Sequence, residues 1–310
     1  MILTIDLDPV FKSNYDIGNF QDKMKIKSKS TVYSIGGSGL NTSQIIKKQN
    51  LNIFSTGFLG GLKGEYIFEK LKELNIYNDF IFINDETKGR ILLEQNKKIV
   101  SIIEEESPKI TRQELKEFYQ LYDKISQRSK FICGLGEVPI GVPYEIYFDL
   151  IQIAKNNGKR FILDAKNEEL LYGIEAQPFI VIMDQEDLEE FARIKLNSES
   201  EIVTVANSII EKGIEIVIID LKEEGSIVFN KETCYRLKLI DKSIGIINAD
   251  KGYTVAGYAI GIEKQYDIET TMKLGQAMRI AYGLERNFNI VNMRDVKRIM
   301  SKIDVSEIVY

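Results

Sequence analysis

The chain has 310 residues, of which 44% are apolar and 28% charged, which fits one large α/β domain with a substantial core. Its net charge of −5 and pI near 5.2 argue against nucleic-acid binding, which needs a basic surface. The sequence has no histidine, so Ser-His and Cys-His nucleophile pairs and the usual zinc sites are excluded.

The two cysteines, Cys133 and Cys234, lie far apart in apolar surroundings, which is typical of buried thiols in a reducing compartment. The N-terminus has no basic region followed by an apolar core, and no apolar run is long enough to cross a membrane. We therefore expect a cytoplasmic protein that binds neither membranes nor nucleic acid.

Short apolar strands alternate with amphipathic helices along the chain. The first half has strand Ile2–Leu7, helix Asn41–Lys48, strand Asn52–Gly57 and helix Lys63–Leu74. The second half continues with helix Thr111–Ser126, strand Phe131–Gly134, helix Tyr144–Asn157, strands Phe161–Ala165 and Phe179–Met183, helix Ser198–Lys212, strand Ile214–Leu221, and helices Thr254–Gly261 and Ile268–Tyr282. This alternation predicts βαβ crossovers and a parallel sheet covered on both faces.

Two segments fall outside this rhythm. Residues 11–34 and 80–103 have strand-like alternation with little helical signal, and the second contains a turn at Asn96-Lys97. We expect these segments to form a small β lid on a single domain that spans residues 1–310.

Four glycine-containing segments follow predicted strands or open predicted helices. Glycines there let the backbone approach a ligand and aim helix-start amides at an anion, although a tight turn explains a single such segment equally well. The segments are Gly36-Gly37-Ser38-Gly39-Leu40-Asn41, Thr56-Gly57-Phe58-Leu59-Gly60-Gly61, Gly136–Pro143 and Asn248–Gly257. In this order and spacing, and with Leu7-Asp8-Pro9 before them, they resemble the ribokinase/PfkB family over nearly the whole chain. The similarity is greatest to its 1-phosphofructokinase and tagatose-6-phosphate kinase group.

The resemblance implies a doubly wound, mostly parallel sheet with helices on both faces and a small β lid, which often mediates dimerisation in this group. A homodimer is therefore expected, with a sugar phosphate as the ligand. The positions that match the family's substrate site are Gly37, Ser38, Asn41, Lys88 and Arg90. Those that match its nucleotide side are Asp184, Asp187, Asp220, Gly225 and Gly252.

The fourth segment, Asn248–Gly257, differs from the family at the positions that carry out catalysis there. In the family, an aspartate in Gly-x-Gly-Asp takes the proton from the attacking hydroxyl, and that aspartate aligns with Gly252. The two glycine positions before it align with Ala249 and Lys251, so the amides that hold the migrating phosphoryl group lose their glycines. The nearby carboxylate of Asp250 is two residues away, which on a continuous helix is a rotation of roughly 200°. We therefore expect Asp250 to face away from the site.

Other matching positions have changed in the same sense. Ser38 replaces a lysine of the sugar loop, and Lys12 replaces an aspartate that contacts sugar hydroxyls. The family's Lys-Pro-Asn-x-x-Glu becomes 182–187 here, without its lysine, although Asp184 and Asp187 could hold a cation through water. Asp220 falls where anionic phosphates lie in the family.

These departures favour a catalytically impaired, pseudokinase-like protein that still binds a phosphorylated sugar. An active ATP-dependent carbohydrate or sugar-phosphate kinase with a rebuilt site is the alternative, with Asp250 as its base and Asp184 or Asp187 near magnesium. A structural partner without ligand is a third hypothesis. ATP and Mg²⁺ are expected for the active kinase alone, and no metal ligands of the protein itself are predicted. Asp184, Asp187, Asp220 and Asp250 can also be solvated loop acids. Lys88 and Arg90 can equally lie on an exposed face of the β ribbon.

Overall fold

The computed structural model describes residues 1–18, 25–96, 98–241, 244, 250–284 and 291–308. Within them the helices are α1 Ser38–Lys48, α2 Gly61–Glu73, α3 Arg112–Ser126, α4 Ile146–Asn156, α5 Asn167–Glu175, α6 Gln185–Ala192, α7 Glu199–Glu211, α8 Gly252–Glu263, α9 Ile268–Leu284 and α10 Met293–Met300. The strands are β1 Ile2–Asp6, β2 Val10–Ile17, β3 Ser28–Gly36, β4 Ile53–Gly60, β5 Tyr77–Asn78, β6 Ile81–Ile83, β7 Gly89–Gln95, β8 Lys98–Glu104, β9 Phe131–Leu135, β10 Arg160–Asp164, β11 Ile180–Asp184, β12 Ile216–Asp220, β13 Ser226–Asn230, β14 Cys234–Leu239 and β15 Ile303–Ile308. Residues 19–24 of the first lid segment, Lys97 of the predicted turn, and Asn248 and Ala249 lie outside the described residues.

A large, mostly parallel sheet runs through the centre of the molecule. Its strand order is β15-β14-β13-β12-β11-β10-β9-β1-β4-β5, and β6 also pairs with β4. The pairs from β12 to β4, and those of β4 with β5 and β6, are parallel. β13, β14 and β15 extend the sheet by antiparallel pairing, and none of the three was predicted from the sequence.

Helices cover both faces of this sheet, which confirms the predicted doubly wound arrangement. One apolar cluster joins one face of the strands to α3 through α7 and includes Leu3 and Phe118. The other joins the opposite face to α1, α2, α8, α9 and α10 and includes Ile2 and Met272. The neighbouring residues Ile2 and Leu3 enter opposite clusters because side chains alternate along a strand. Strands buried on both faces need unbroken apolar runs, and the sequence supplies them.

Close packing of α8 against α9 fixes the direction of α8. A Cβ atom on Gly257 would lie 2.5 Å from the Cα atom of Gly275, so these two helices touch through their glycines. Gly257 belongs to the fourth glycine-containing segment, and its role here is helix packing. The N-terminus of α8 is thereby held at the carboxyl edge of the sheet.

A second sheet, of order β3-β2-β7-β8, forms the β lid. β2 and β3 lie in or beside the first predicted lid segment, and β7 and β8 lie in or beside the second. The start of the second segment is different, because β6 pairs with β4 in the large sheet. Cys133 and Cys234 are buried. None of the helices in the described ranges is long and apolar enough to cross a membrane.

Candidate active site

A cleft of about 370 Å³ lies at the carboxyl ends of the parallel strands, beneath the lid. Ligands of open α/β sheets bind at this edge, outside the carboxyl ends of the strands. Among the described residues, eight carboxylates and seven basic side chains line it: Asp6, Asp8, Glu137, Asp164, Asp184, Glu186, Asp220 and Asp250, with Lys12, Lys88, Arg90, Lys166, Lys222, Lys251 and Arg279. The site is therefore densely charged and nearly balanced.

Four of these acids form a row along the sheet edge. Asp6, Asp164, Asp184 and Asp220 are the last residues of β1, β10, β11 and β12. Sequence reasoning did not select Asp6 and Asp164, although a signal was available, since each ends a buried apolar strand. Acids at several strand ends of one parallel sheet meet at one edge.

Asp6 caps the start of α1 from within the sheet. Its Oδ2 atom accepts a hydrogen bond of 2.9 Å from the Leu40 amide, and the side chain is buried. Gly37 permits this contact, because a Cβ atom there would lie 2.3 Å from Asp6 Oδ2 and the residue has φ +109°. Burial, together with the like charges of Asp8 and Asp250, raises the pKa of Asp6 from 3.8 to about 7, although the Leu40 hydrogen bond opposes the rise. Gly37 lines the cleft, where it makes room for an aspartate of this chain.

Asp250 points into the cleft, so the expectation that it faces away is wrong. The residue precedes α8 instead of lying on it, and the helical rotation used in that expectation does not apply. Its carboxylate accepts hydrogen bonds from Ser38 Oγ (2.9 Å), Asn41 Nδ2 (2.9 Å) and the Gly252 amide (2.8 Å). The structure thus brings together the sugar-loop residues Ser38 and Asn41 and the fourth segment around one anion.

Gly252 has no room for a side chain. A Cβ atom there would lie 2.7 Å from the carbonyl oxygen of Ser38 and 3.0 Å from Thr42 Oγ1. Thr42 Oγ1 also donates to the Gly252 carbonyl at 2.8 Å, which holds α8 against α1. An aspartate at this position would therefore collide with α1 in the present packing.

Lys251 lies buried among three carboxylates. Its Nζ atom is 2.6 Å from Asp187 Oδ2, 3.5 Å from Asp164 Oδ1 and 3.9 Å from Asp184 Oδ2. Burial alone would lower the pKa of Lys251, but the three carboxylates outweigh it and hold that pKa above its ordinary value. Burial raises the pKa of Asp164 to about 7 although Lys251 opposes the rise. Lys251 is a site residue that sequence reasoning treated only as a lost glycine.

Asp184 and Asp187 also form the N-terminal cap of α6, so they are not solvated loop acids. Asp184 Oδ1 accepts from the Asp187 amide at 2.9 Å, and Asp187 Oδ2 accepts from the Asp184 amide at 2.8 Å. This reciprocal pairing satisfies two backbone donors at the helix start. Both side chains therefore have structural partners in addition to Lys251.

Asp220 is neutralised by a buried arginine. Arg279 Nη2 lies 2.9 Å from Asp220 Oδ2, and the Lys222 amide donates to Asp220 Oδ1 at 2.8 Å. Burial raises the pKa of Asp220 despite Arg279. Arg279 comes from α9, about sixty residues along the chain, and no local pattern marks it. Gly225 forms the turn before β13, where a Cβ atom would lie 2.0 Å from the carbonyl oxygen of Leu237, and it does not line the cleft.

The lid contributes the cations on the other side of the cleft. Lys88 is buried and not on an exposed ribbon face, with Nζ 2.7 Å from Asp8 Oδ2 and 2.8 Å from Glu137 Oε2. Arg90 binds both oxygens of Glu104. Lys12 lies beside Arg90 in the register of β2 and β7, and it has no carboxylate within 4.0 Å in the described part of the chain.

The cleft residues at the start of α8 and along the sheet edge do not fit a magnesium–nucleotide complex. The amide at the start of α8 is taken by Asp250, the acids expected near a metal hold the Lys251 ammonium, and Asp220 is bound to Arg279. Among the described residues, no group of three or more acidic or cysteine side chains has the geometry of a metal site. All three groups are already engaged by partners within the chain.

Comparison with known proteins identifies the family. The sequence matches the pfkB family of carbohydrate kinases over residues 7–278. It is 27% identical to the 1-phosphofructokinase of Bacillus subtilis over 281 residues, covering 89% of this chain and 90% of that protein. It is 26% identical to the tagatose-6-phosphate kinase of Staphylococcus epidermidis over 314 residues, covering 99% of this chain and all of that protein.

Solved structures share the fold. A Thermotoga maritima protein described as a possible 1-phosphofructokinase superposes with a TM-score of 0.87 at 21% identity, over 99% of each chain. Phosphofructokinase-2 of Escherichia coli in complex with potassium also gives 0.87, at 19% identity, over 97% of this chain and 98% of that one. The architecture is thus ribokinase-like. The chain belongs to the pfkB family of carbohydrate kinases.

Proposed function

We propose that this chain is a pseudokinase-like, sugar-phosphate-binding member of the pfkB family that has lost phosphoryl transfer by the family's mechanism. The observation that carries the proposal is the Asp250 carboxylate, which accepts a hydrogen bond from the Gly252 amide at the start of α8. Helix-start amides are the groups that stabilise a migrating phosphoryl group in this family. An internal carboxylate on that amide competes with a phosphoryl group and repels its charge.

The second helix start in the cleft supports the same conclusion. The Leu40 amide of α1 is bound by Asp6, so the N-termini of α1 and α8 each already carry an anion of the chain itself. Gly252, at the position of the family's proton acceptor, has neither a carboxylate nor space for one. Phosphoryl transfer depends on charge stabilisation and a base near the nucleophile, and both are compromised together.

Cations under the lid support continued binding of an anionic sugar. Lys12 and Arg90 are neighbours in the lid register, and Lys88 directly precedes β7. Their outer partners, Glu104 and Glu137, have side chains that are 38% and 69% exposed. A phosphate can displace such exposed carboxylates, because a surface ion pair contributes only about 0–1 kcal/mol.

Calorimetric titration combined with an ADP-release assay tests this proposal. Fructose 1-phosphate, tagatose 6-phosphate and fructose 6-phosphate are each titrated, with the unphosphorylated sugars for comparison. We expect at least one phosphorylated sugar to bind, and ADP release with ATP and Mg²⁺ to stay at background. Ordinary turnover with any of the three would overturn the proposal.

A pair of lysine variants provides the matched control. Lys12→Met removes a lid cation that has no carboxylate within 4.0 Å among the described residues, and it should weaken binding of the phosphorylated sugar about tenfold or more, since a charge-assisted contact is lost. Lys195→Met removes a lysine whose side chain is 83% exposed outside the cleft, and it should leave affinity unchanged. Equal effects of both variants would contradict a binding site under the lid.

The place of Asp250 favours one alternative, an active ATP-dependent kinase with a rebuilt site. Its carboxylate lies inside the cleft beside Ser38 and Asn41, where it could accept a proton from a sugar hydroxyl. In that case ATP and Mg²⁺ are required, and Asp250→Asn abolishes turnover. Unchanged rates in this variant would exclude the alternative. If the protein neither turns over a substrate nor gains thermal stability with any ligand, the third hypothesis applies, a structural partner without ligand.

The lid also supports a homodimer. Val32 and Ile102 are 59% and 54% exposed, and the register places them with Leu92 on one face of the lid sheet. Exposed apolar side chains grouped on one sheet face are typical of an interaction surface. Analytical ultracentrifugation should find a dimer for the wild type and a monomer for Ile102→Glu. A monomeric wild type would refute this part of the proposal.

A further inference from the structure

We propose that Lys12 forms an imine with a phosphorylated aldehyde or ketone that enters the cleft, so that the protein captures its ligand through a reversible covalent bond. The inference rests on the proposed function only in that the cleft must admit a phosphorylated ligand. It adds a covalent step, and it names the class of ligand as an open-chain ketose or aldose phosphate with a free carbonyl group.

The position of Lys12 in the lid brings its amine to the cleft. Lys12 lies on β2, opposite Ser34 of β3 and Arg90 of β7, and it lines the cleft. Its side chain crosses the backbone of Gly36, where a Cβ atom would lie 2.0 Å from Lys12 Cε and 2.5 Å from Lys12 Nζ. Because Gly36 has no side chain, it leaves room for the amine on the cleft side of the lid.

Lys12 differs from two other lysines of the cleft in its contacts. Lys88 Nζ lies 2.7 Å from Asp8, and Lys251 Nζ lies 2.6 Å from Asp187. Burial lowers the pKa of these two lysines, but their carboxylate neighbours outweigh it and raise both pKa values above the ordinary one. In the part of the chain that the structure describes, no carboxylate lies within 4.0 Å of Lys12. An amine without an anionic contact loses its proton more readily and can then act as a nucleophile.

Burial and charge together make the amine of Lys12 easier to deprotonate. Burial is the largest influence and lowers its pKa below the ordinary value of 10.5, and the like charge of Arg90 acts in the same direction. Asp250, Asp6 and Glu104 also face Lys12 and oppose the fall without cancelling it. A desolvated lysine beside another cation is the environment that activates an amine for imine formation.

The covalent step balances with groups of the cleft. The neutral amine attacks the carbonyl carbon, a C–N bond forms, and one amine proton moves to the carbonyl oxygen to give a carbinolamine. A carboxylic acid then protonates the hydroxyl group, which leaves as water, and the resulting carboxylate takes the remaining proton from the iminium nitrogen. Asp6 suits this exchange, because it lines the cleft and its pKa of about 7 lets it hold and release a proton near neutral pH.

Reductive trapping on the whole chain tests the proposal, with dihydroxyacetone phosphate as the probe. The carbon chain of this probe is too short to close into a ring, so its carbonyl group is free. Sodium cyanoborohydride reduces an imine to a stable secondary amine, and peptide mass spectrometry then locates the adduct. We expect labelling of Lys12 to exceed that of Lys195 at least about tenfold, since Lys195 is exposed and its hydrogen bond to Glu189 raises its pKa.

Two substitutions separate the reactivity of the amine from its charge. Lys12→Arg keeps a cation under the lid but has no primary amine, so it should lose the adduct while its melting temperature stays close to that of the wild type. Lys195→Met should leave the adduct on Lys12 unchanged. Dihydroxyacetone, which lacks the phosphate, should label Lys12 at least about tenfold less, because the attraction to the lid cations is lost.

Equal labelling of Lys12 and Lys195 in the wild type would overturn the proposal. So would a total yield of adduct that Lys12→Arg leaves unchanged. If fructose 6-phosphate binds in calorimetry and no adduct forms on Lys12, the imine is refuted and the proposed function stands. Failure of the proposed function is seen separately, as ADP release with ATP and a sugar phosphate.

Discussion

Asp6 provides the sharpest test of how the cleft is built, through the variant Asp6→Asn. The side chain is 3% exposed and, in the described residues, has the Leu40 amide as its hydrogen-bond donor and no ion pair within 4.0 Å. Asp8 and Asp250 face it with like charge, while Lys88 and Lys12 interact with it from the lid side. An asparagine can keep the bond from Leu40 and carries no charge.

The magnitude follows from the pKa of Asp6, which burial raises from 3.8 to about 7. Because the native state holds this proton more tightly than the unfolded state, stability falls as the pH rises from 3.8 to about 7 and stays reduced above it. A shift of this size corresponds to about 4 kcal/mol in full. Water in the cleft reduces that value, so we expect Asp6→Asn to be more stable than the wild type by about 2–4 kcal/mol at pH 8 and nearly equal to it at pH 4.

Urea denaturation at a series of pH values and constant ionic strength measures this difference. The variant should keep part of the pH dependence of the wild type, because burial also raises the pKa of Asp164 to about 7. Asp16→Asn, at an exposed aspartate of β2, is the control and should change the unfolding free energy by less than about 0.5 kcal/mol at every pH. Parallel curves for the wild type and Asp6→Asn would refute the assignment of a buried, unpaired carboxylate.

Three further substitutions test the packing around the cleft, each by urea denaturation. Gly252→Asp restores the family's aspartate, and it should lower the free energy of unfolding by about 2–3 kcal/mol because the side chain forces α8 from α1. The variant should release no ADP. A stable variant with turnover would contradict the packing of α8 on α1. Gly257→Val should lower the free energy of unfolding by about 3 kcal/mol or more, because the valine side chain meets the backbone of Gly275. An unchanged free energy of unfolding would mean that α8 and α9 do not touch there. Arg279→Met should lower the free energy of unfolding by about 3–5 kcal/mol, because it leaves Asp220 buried without its ion pair. Adding Asp220→Asn should recover most of that loss, and an additive further loss would show that the two side chains do not interact.

The sequence by itself determined the architecture. Apolar runs of strand length alternating with amphipathic helices predicted the doubly wound sheet, because such strands are buried on both faces and their helices on one. The glycine-containing segments located the cleft, since the first and fourth meet where Ser38 and Asn41 contact Asp250. These are local signals, readable from residues close together in the chain.

Helix starts limited what could be predicted about the catalytic segment. The orientation of Asp250 depends on whether α8 begins before it or after it, and a boundary is uncertain by a few residues in any sequence. Here α8 begins at Gly252, so Asp250 turns back to cap the helix. The predicted helix Thr254–Gly261 also begins after Asp250, so the helical rotation was applied to a residue outside the helix, where a turn sets the direction of the side chain.

The partners of the charged groups were decided only by the tertiary structure. Lys251 meets Asp164 and Asp187 across 87 and 64 positions, and Arg279 meets Asp220 across about sixty. No propensity or periodicity links such residues, because they are joined by the order of strands in the sheet and by the packing of α8 and α9. The sequence therefore predicted departures from the family at several matching positions, whereas the fold revealed which residues of the chain each charged group at those positions contacts.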